Sequence, residues 1–227
     1  MDRNPILCAI DTADHDRACA LITALAGAVG GVKLGLEFFC AHGPDGVRRA
    51  ASGGNVFLDL KLHDIPHTVA SAVRAAHVLE PAFMTLHCAG GPAMLRAAVE
   101  ARGAQRTKLL GVTVLTSLDD ADLLATGQFG PVEAQVRRLA LLAKVNGLDG
   151  VVCSAHEVAM LRATCGKDFL LVVPGIRPAG APLGDQKRVL TPAEAIKAGA
   201  DYLVIGRPIT EARDPAAAAR AILQSLP

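Results

Sequence analysis

The sequence is poor in aromatic residues. Tryptophan is absent, one tyrosine and six phenylalanines are present, and aromatic residues make up 3% of the 227 residues. Proteins that bind single-stranded nucleic acid stack the bases on aromatic side chains, so this function is not expected here. The core must come from aliphatic residues, since 51% of the chain is hydrophobic and 20% is charged. This composition predicts a compact globular protein.

An excess of charge of either sign is also missing. Lysine and arginine together number 23 and aspartate and glutamate 22, which gives a net charge of +1. A near-neutral chain carries no basic footprint for nucleic acid or an anionic membrane. The longest nearly apolar run, residues 18–32, is shorter than the roughly 20 residues of a membrane-spanning helix, and the first residues do not resemble a signal peptide. We therefore expect no nucleic-acid or membrane partner and a cytoplasmic location.

The six cysteines are scattered and form no C-x-x-C pair. Disulfide-stapled secreted proteins are normally smaller and denser in cysteine, so reduced thiols are the better interpretation. Cys8 and Cys153 lie inside apolar runs and are predicted to be small core residues.

Eight short aliphatic runs alternate with alanine- and leucine-rich segments of helical periodicity. The predicted strands are residues 6–10, 31–34, 56–61, 83–87, 109–115, 150–153, 169–173 and 202–205. Strands that are apolar throughout are buried on both faces, as in a parallel sheet covered by helices. Eight such units predict an α/β fold, a single-domain (β/α)8 TIM barrel over residues 1–227. A doubly wound open sheet is the alternative, although no glycine-rich fingerprint follows the first strand.

One stretch has the composition of a loop. Residues 174–192, PGIRPAGAPLGDQKRVLTP, contain four prolines and three glycines. The stretch follows the seventh predicted strand, where barrels often bind phosphate, and long loops in compact domains are usually functional. It is therefore predicted to be a phosphate-binding lid; a merely long surface loop is the alternative.

Charged residues gather at the predicted carboxyl ends of the first three strands. In FLDLKLHDIPHTV, Asp59 and Lys61 share one face of a strand, and Asp64 follows in the loop. Lys33 lies near the end of the second strand, and Asp11 follows the first. Buried charges are costly unless they pair, so this group indicates a functional site. A charge network that merely closes the barrel is the structural alternative.

Three further motifs in the sequence bear on function. In the GRPI segment after the eighth strand, Gly206 allows close approach of an anion, and Arg207 can bind it in a bidentate manner at the start of a helix. His63 and His67 have the spacing of a zinc-binding helix, but Pro66 interrupts that helix and no third ligand is evident. The serines lack the elbow motif of serine hydrolases.

The block D-x-K-x-x-D-I-P at residues 59–66 resembles the orotidine 5′-monophosphate decarboxylase family. The resemblance continues through AIDTAD (9–14), VKLGLEFF (32–39), GVTVLTSLD (111–119), PGIRP (174–178) and DQKRVLTPAEAIKAGADYLVIGRPI (185–209). Sister families share the D-x-K-x-x-D block alone; its combination with the loop after strand seven and the GRPI ending is specific. His67 stands where the family commonly has asparagine, and Gly184 where a second aspartate is frequent.

The resemblance implies decarboxylation of orotidine 5′-phosphate to uridine 5′-phosphate and CO2 in de novo pyrimidine synthesis, without metal or organic cofactor. By similarity, Lys61 is the cation beside the C6 carbanion and the acid that protonates it. Asp59 holds Lys61 near the departing carboxylate, and Lys33 completes the chain of charges. Asp64, also assigned to catalysis, and Thr68 come from the neighbouring subunit of a homodimer.

The same resemblance implies a set of substrate contacts. By similarity, Asp11 contacts the ribose, and Thr116 or Ser117 contacts the pyrimidine edge. Arg177, Gln186 and Arg207 by similarity contact the phosphate. The implied set is Asp11, Lys33, Asp59, Ile65, Thr68, Thr116, Ser117, Pro174, Arg177, Gln186, Gly206 and Arg207.

Two alternative functions stay open. The first is a magnesium-dependent relative, a hexulose-phosphate synthase or keto-gulonate-phosphate decarboxylase, which resembles the D-x-K-x-x-D block but lacks the long loop. The second is a catalytically silent barrel that binds nucleotides. Lys33, Asp59, Lys61 and Asp64 argue against a silent barrel, because binding alone does not require this set of charges.

Overall fold

The computed structural model describes residues 4–51, 55–177 and 190–227. Within these ranges eight parallel strands close into a barrel in chain order, and the last strand pairs with the first. The strands are β1 (Ile6–Ile10), β2 (Gly31–Gly35), β3 (Val56–Leu62), β4 (Phe83–His87), β5 (Lys108–Val112), β6 (Gly150–Val152), β7 (Leu170–Val173) and β8 (Tyr202–Ile205). The barrel prediction is confirmed and the open sheet is wrong.

Helices cover the outside of the barrel, ten of them α-helical over the described ranges. They are α1 (His15–Ala24), α2 (Leu36–Ala50), α3 (Pro66–Ala76), α4 (Gly91–Arg102), α5 (Asp120–Ala125), α6 (Val132–Val145), α7 (Val158–Cys165), α8 (Pro192–Ala198), α9 (Arg207–Thr210) and α10 (Pro215–Gln224). Short 3₁₀ turns occupy His77–Leu79, Cys88–Gly90 and Ala155–Glu157. None of the described helices combines the length and the apolarity needed to cross a membrane.

Side chains that alternate along the strands build two apolar layers. The outward-facing layer packs under the helices and includes Cys8 and Cys153, which are buried as predicted. All six cysteines are free thiols. In the smaller inward-facing layer, the ring of Phe83 lies 5.8 Å from that of Phe57 and 4.9 Å from that of Tyr202. These three rings, which we call the ring cluster, fill the barrel interior.

The polar mouth of the barrel begins directly above the ring cluster. Along β3 the inward residue that follows Phe57 is Asp59, and along β4 the one that follows Phe83 is Thr85. Both polar side chains are buried. The carboxyl ends of the strands, where barrel enzymes place their active sites, therefore carry the buried polar groups.

The fifth predicted strand, residues 109–115, extends too far. β5 ends at Val112, and the next residue, Thr113, directs both its N–H (3.4 Å) and its hydroxyl (2.9 Å) to the Val152 carbonyl oxygen. A turn closed by a hydrogen bond from Leu118 N–H to the Leu115 carbonyl follows. The apolar pattern continued past the strand because these residues line the mouth of the barrel rather than its wall.

At the opposite face, Arg162 of α7 joins the amino ends of β7 and β8. Its guanidinium donates to the carbonyls of Phe169 (2.9 Å) and Gly199 and to the Asp201 carboxylate (2.6 Å). Asp201 in turn accepts the Leu171 N–H at 2.7 Å. One side chain therefore holds two αβ junctions far from the mouth, which is a stabilising rather than a functional role.

Arg162→Met should lower the thermal unfolding midpoint by about 4–8 °C. Hydrogen bonds to a charged group are worth about 2 kcal/mol, and a loss of that free energy shifts the midpoint of a chain of this size by this amount. The change is measured by circular dichroism, with Arg137→Met on the exposed side of α6 as the control. Equal midpoints for the two variants would contradict this role of Arg162.

Candidate active site

Four side chains of alternating charge lie in a row at the mouth of the barrel. The Lys33 ammonium lies 3.1 Å from Asp11 Oδ1 and 3.6 Å from Asp59 Oδ2, and Asp59 Oδ2 lies 2.9 Å from the Lys61 ammonium. The row, which we call the charge row, crosses the carboxyl ends of β1, β2 and β3. Of the five charged residues that the sequence grouped, the structure brings these four together and leaves Asp64 apart from them.

Gly35 makes room for one end of the charge row. A Cβ at this position would lie 3.2 Å from Lys33 Nζ and 3.6 Å from Asp11 Oδ1. A side chain there would press on the contact between the lysine and the aspartate. The glycine that ends β2 therefore suits a close approach of the two charged groups.

Asp59 is held as a carboxylate although it is buried. Burial acts to raise its pKa, but the ammoniums of Lys33 and Lys61, with hydrogen bonds from Lys61 and Thr85, outweigh burial and lower the pKa below its ordinary value. Asp59 is therefore a fixed negative charge between the two lysine side chains.

The backbone at Lys61 departs from a regular strand. Its φ is +50°, in the left-handed region that non-glycine residues seldom adopt, and the register between β3 and β4 shifts between Leu58 and Leu62. Strain of this kind is concentrated at functional sites. The prediction that Lys61 shares a face with Asp59 is confirmed, but the irregularity that aims its side chain was not foreseen.

A cavity of about 210 Å³ opens onto the charge row. Of the predicted residues, it is lined by Lys33, Asp59, Lys61, Thr116 and Pro174. The remaining lining residues, which the sequence analysis did not assign to the site, are Phe57, Val112, Val114, Leu115, Val152, Cys153 and Val204. Because most of the wall is apolar, charges inside it interact more strongly than they would in water.

Two histidines lie beside the charge row. The His63 and His87 rings are 5.3 Å apart. Burial, followed by the charges of His63 and Lys61, lowers the pKa of His87, so its ring is neutral near pH 7. Among the described residues, no three histidine, cysteine, aspartate or glutamate side chains are grouped as metal ligands would be.

The predicted contacts that follow β3 point away from the cavity. Asp64, Ile65 and Thr68 are exposed, with 65% of Ile65 accessible. The Asp64 carboxylate accepts the Ile65 N–H at 2.6 Å and, in the part of the chain that the structure describes, forms no ion pair with the lysines of the charge row. The structure therefore does not bring these three residues into the site of their own subunit.

Three of the predicted phosphate contacts are described: Arg177 follows β7, and Gly206 and Arg207 follow β8. Gly206 is close to the charge row, since a Cβ there would lie 4.0 Å from Asp11 Oδ2, and Arg207 is exposed at the first position of α9. Arg177 N–H donates to the Leu190 carbonyl oxygen at 3.2 Å, which joins the two ends of the loop between them.

Two further predictions concern segments that follow β5 and β7. Gln186 and most of the predicted lid over residues 174–192 lie outside the described residues. Ser117 is exposed beyond β5, whereas its neighbour Thr116 faces the cavity. Of the two candidates for reading the pyrimidine edge, only Thr116 lines the cavity.

Comparisons with known proteins give the site a family. A model of the orotidine 5′-phosphate decarboxylase / HUMPS family matches residues 4–222. A protein of Novosphingobium aromaticivorans named orotidine 5′-phosphate decarboxylase is 56% identical over 224 residues, covering 98% of this chain and 99% of its own. A protein of the same name from Rhodospirillum rubrum is 54% identical over 231 residues, covering 98% and 94%.

A solved structure agrees with these matches. The crystal structure of orotidine 5′-phosphate decarboxylase from Lactobacillus acidophilus superimposes with a TM-score of 0.86 at 38% identity, over 97% of this chain and 98% of that one. The matches in sequence and in fold both cover nearly the whole chain, including the strands that carry the charge row. The chain therefore belongs to the orotidine 5′-phosphate decarboxylase / HUMPS family.

Proposed function

We propose that the protein decarboxylates orotidine 5′-phosphate to uridine 5′-phosphate and CO2, the reaction for which its curated relatives at 52–56% identity are named. Those relatives are carboxy-lyases, and the chain is an enzyme of that class. The observation that carries the proposal is the charge row, with two ammoniums flanking a buried carboxylate at an apolar-walled cavity.

The chemistry explains why such a cavity is needed. Loss of CO2 from C6 of the pyrimidine leaves an electron pair in an sp² orbital that the ring does not delocalise, so the barrier is very high. Fixed charges in a site of low dielectric stabilise such a developing anion without having to reorganise during the reaction. The Lys61 ammonium, whose backbone and carboxylate partner are both fixed, is the group suited to lie beside C6.

The proposed step balances in atoms and charge. The bond between C6 and the carboxylate carbon breaks, its electron pair stays on C6, and CO2 leaves as a neutral molecule. A proton moves from Lys61 Nζ to C6, and the neutral amine then regains a proton from solvent. Asp59 keeps Lys61 protonated beforehand and lies near the departing carboxylate, while Lys33 balances the charge of Asp59.

Binding is proposed to rest on groups at the other end of the site. Asp11, at the end of the charge row, is suited to accept from the ribose hydroxyls, and Thr116 to contact the pyrimidine edge. Arg177, Gln186 and Arg207 would surround the 5′-phosphate beside Gly206. The phosphate is remote from C6, so its binding energy can serve to organise the reacting centre.

The protein is further proposed to act as a homodimer in the cytoplasm. Asp64, Ile65 and Thr68 are exposed at the mouth of the barrel, where a second subunit could take them into its own site. A buried role for Ile65 in a partner would also explain the 65% exposure of this large apolar side chain.

The matching family also includes sister enzymes, and measuring the reaction distinguishes the proposal from theirs. We expect the purified protein to consume orotidine 5′-phosphate, followed spectrophotometrically, with a metal chelator present. Lys61→Ala should lose about 10³-fold or more of kcat, because Lys61 supplies both the proton and the nearest positive charge. Lys197→Ala, on the exposed side of α8, is the matched control.

Loss of activity on adding chelator would favour a magnesium-dependent sister reaction instead. A folded Lys61→Ala protein that kept more than a few per cent of its activity would exclude the assigned role of Lys61.

The dimer proposal predicts complementation. Mixing Asp64→Ala with Lys61→Ala under conditions of subunit exchange should restore up to about a quarter of the wild-type activity, because half of the dimers would be mixed and each would hold one intact site. As a control, mixing Asp59→Ala with Lys61→Ala should restore nothing, since these two side chains hydrogen-bond within one subunit at 2.9 Å. No recovery with Asp64→Ala, after exchange is verified by mass spectrometry, would remove Asp64 from the partner's site.

The phosphate proposal predicts that orotidine, which lacks the phosphate, reacts with a kcat/KM lower by many powers of ten. Arg207→Ala should reduce kcat/KM for the phosphorylated substrate about 10²-fold or more and change that for orotidine little. Gln186→Ala should act in the same way but less severely, and Arg220→Ala on α10 should have no effect. Added phosphite should partly restore turnover of orotidine. Equal damage to both substrates would show that these side chains do not recognise phosphate.

A further inference from the structure

We propose that Thr85 of β4 is a positioning residue that sets the geometry of Lys61 and Asp59, an inference that rests on the proposed decarboxylation. Thr85 does not line the cavity and is fully buried. It therefore cannot contact the substrate, and any effect on the reaction must pass through its two neighbours.

The Thr85 hydroxyl joins the last two members of the charge row, Asp59 and Lys61. It donates to Asp59 Oδ1 at 2.8 Å and accepts the backbone N–H of Lys61 at 2.9 Å. A hydroxyl has one donor and can accept as well, so both functions are in use. One oxygen atom thus fixes the side chain of the aspartate and the main chain of the lysine.

The contact with the main chain gives the Lys61 N–H an acceptor where the irregularity in β3 interrupts the pairing with β4. Where the register shifts between Leu58 and Leu62, the regular ladder of hydrogen bonds to β4 is interrupted. Lys61 lies inside this interruption with φ +50°, a backbone conformation that costs energy in a residue with a Cβ. The Thr85 hydroxyl supplies an acceptor for its N–H and so stabilises the conformation that directs Lys61 into the mouth.

Because of the contact with the side chain, the two oxygens of the Asp59 carboxylate have different partners. Thr85 occupies Oδ1, while Oδ2 receives the Lys61 ammonium at 2.9 Å and lies 3.6 Å from that of Lys33. Anchoring one oxygen fixes the rotation of the carboxylate plane. Without the hydroxyl the carboxylate could turn, and the ammonium bound to it would move relative to C6.

The hydroxyl also influences the ionisation of Asp59. The charged or titratable groups around this carboxylate are Lys33 on β2, Lys61 on β3 and His87 on β4, with Asp11 beyond Lys33. A hydrogen bond to the charged form lowers the pKa of a carboxyl group, so its loss raises the pKa. The acidic limb of the kcat/KM profile should then move to higher pH.

The test compares Thr85→Val, which keeps the shape but lacks the hydroxyl, with Thr85→Ser, which keeps the hydroxyl. We expect kcat of Thr85→Val to fall about 10- to 100-fold with KM changed less than about 3-fold, the size expected for losing a hydrogen bond to a charged group. Thr85→Ser should stay within about 3-fold of wild type. The matched control is Thr107→Val, another buried threonine, whose hydroxyl donates to the Pro81 carbonyl at 2.7 Å; it should leave kcat unchanged.

A merely structural role would lower the unfolding midpoints of Thr85→Val and Thr107→Val alike and leave both pH profiles unmoved; that result would overturn the proposal. Wild-type kcat in Thr85→Val, or equal losses in Thr85→Val and Thr85→Ser, would also overturn it. If Thr85→Val does not fold, Thr85→Ala is compared with Thr85→Ser instead. Equal kcat values for Thr85→Ala and Thr85→Ser would then contradict the proposal.

A measurement without substrate separates this inference from the proposed function. The carboxyl carbon of Asp59 is followed by ¹³C NMR in protein labelled at aspartate, with Asp59→Asn for assignment. The Asp59 carboxyl group should titrate at higher pH in Thr85→Val than in the wild type, whichever substrate the enzyme uses. An unchanged titration would contradict the inference, whereas failure of the wild type to consume orotidine 5′-phosphate would contradict only the proposed function.

Discussion

The buried Asp59 carboxylate stays ionised only because positive charge lies close to it, and the rest of the site depends on the groups that supply this charge. Two ammoniums and a hydroxyl surround it, so burial does not neutralise it. In return Asp59 fixes the positions of both lysine side chains at an apolar cavity where charge acts strongly. Stability and the proposed reactivity are therefore linked through one group, because the pairing that permits burial of Asp59 also positions the lysine to which the proposal assigns the proton transfer.

The barrel supplies this pairing through strand order. Because β1, β2 and β3 are neighbours, the residues at their carboxyl ends meet although more than twenty positions separate Asp11 from Lys33 and Lys33 from Asp59. The fourth strand adds Thr85 beneath them. The opposite face carries structural links such as that of Arg162. The two ends of the same strands thus serve different purposes, the amino ends for stability and the carboxyl ends for chemistry.

Much of this arrangement could be predicted from the sequence, because burial on both faces leaves a clear apolar pattern; the bounds of β1, β4 and β8 match the prediction. The overextended β5 arose where that pattern continues into the cavity wall. Thr85 was missed because a threonine within FMTLH resembles an ordinary β-branched strand residue. The left-handed backbone at Lys61 could not be foreseen either, since it depends on pairing with β4, which no local pattern records. The contacts proposed for Asp64 require a second chain, and Gln186 lies outside the described residues.

The ring cluster has a consequence for access. Phe57, Phe83 and Tyr202 are all buried and close the barrel below the charge row, so nothing can pass through the barrel from its amino end. In the proposed reaction, the water that restores the proton of Lys61 and the released CO2 would therefore use the mouth of the barrel, as the substrate does. A ligand bound at the mouth would separate the ammonium from bulk solvent, and the proposed step would then have one proton at its disposal in each cycle.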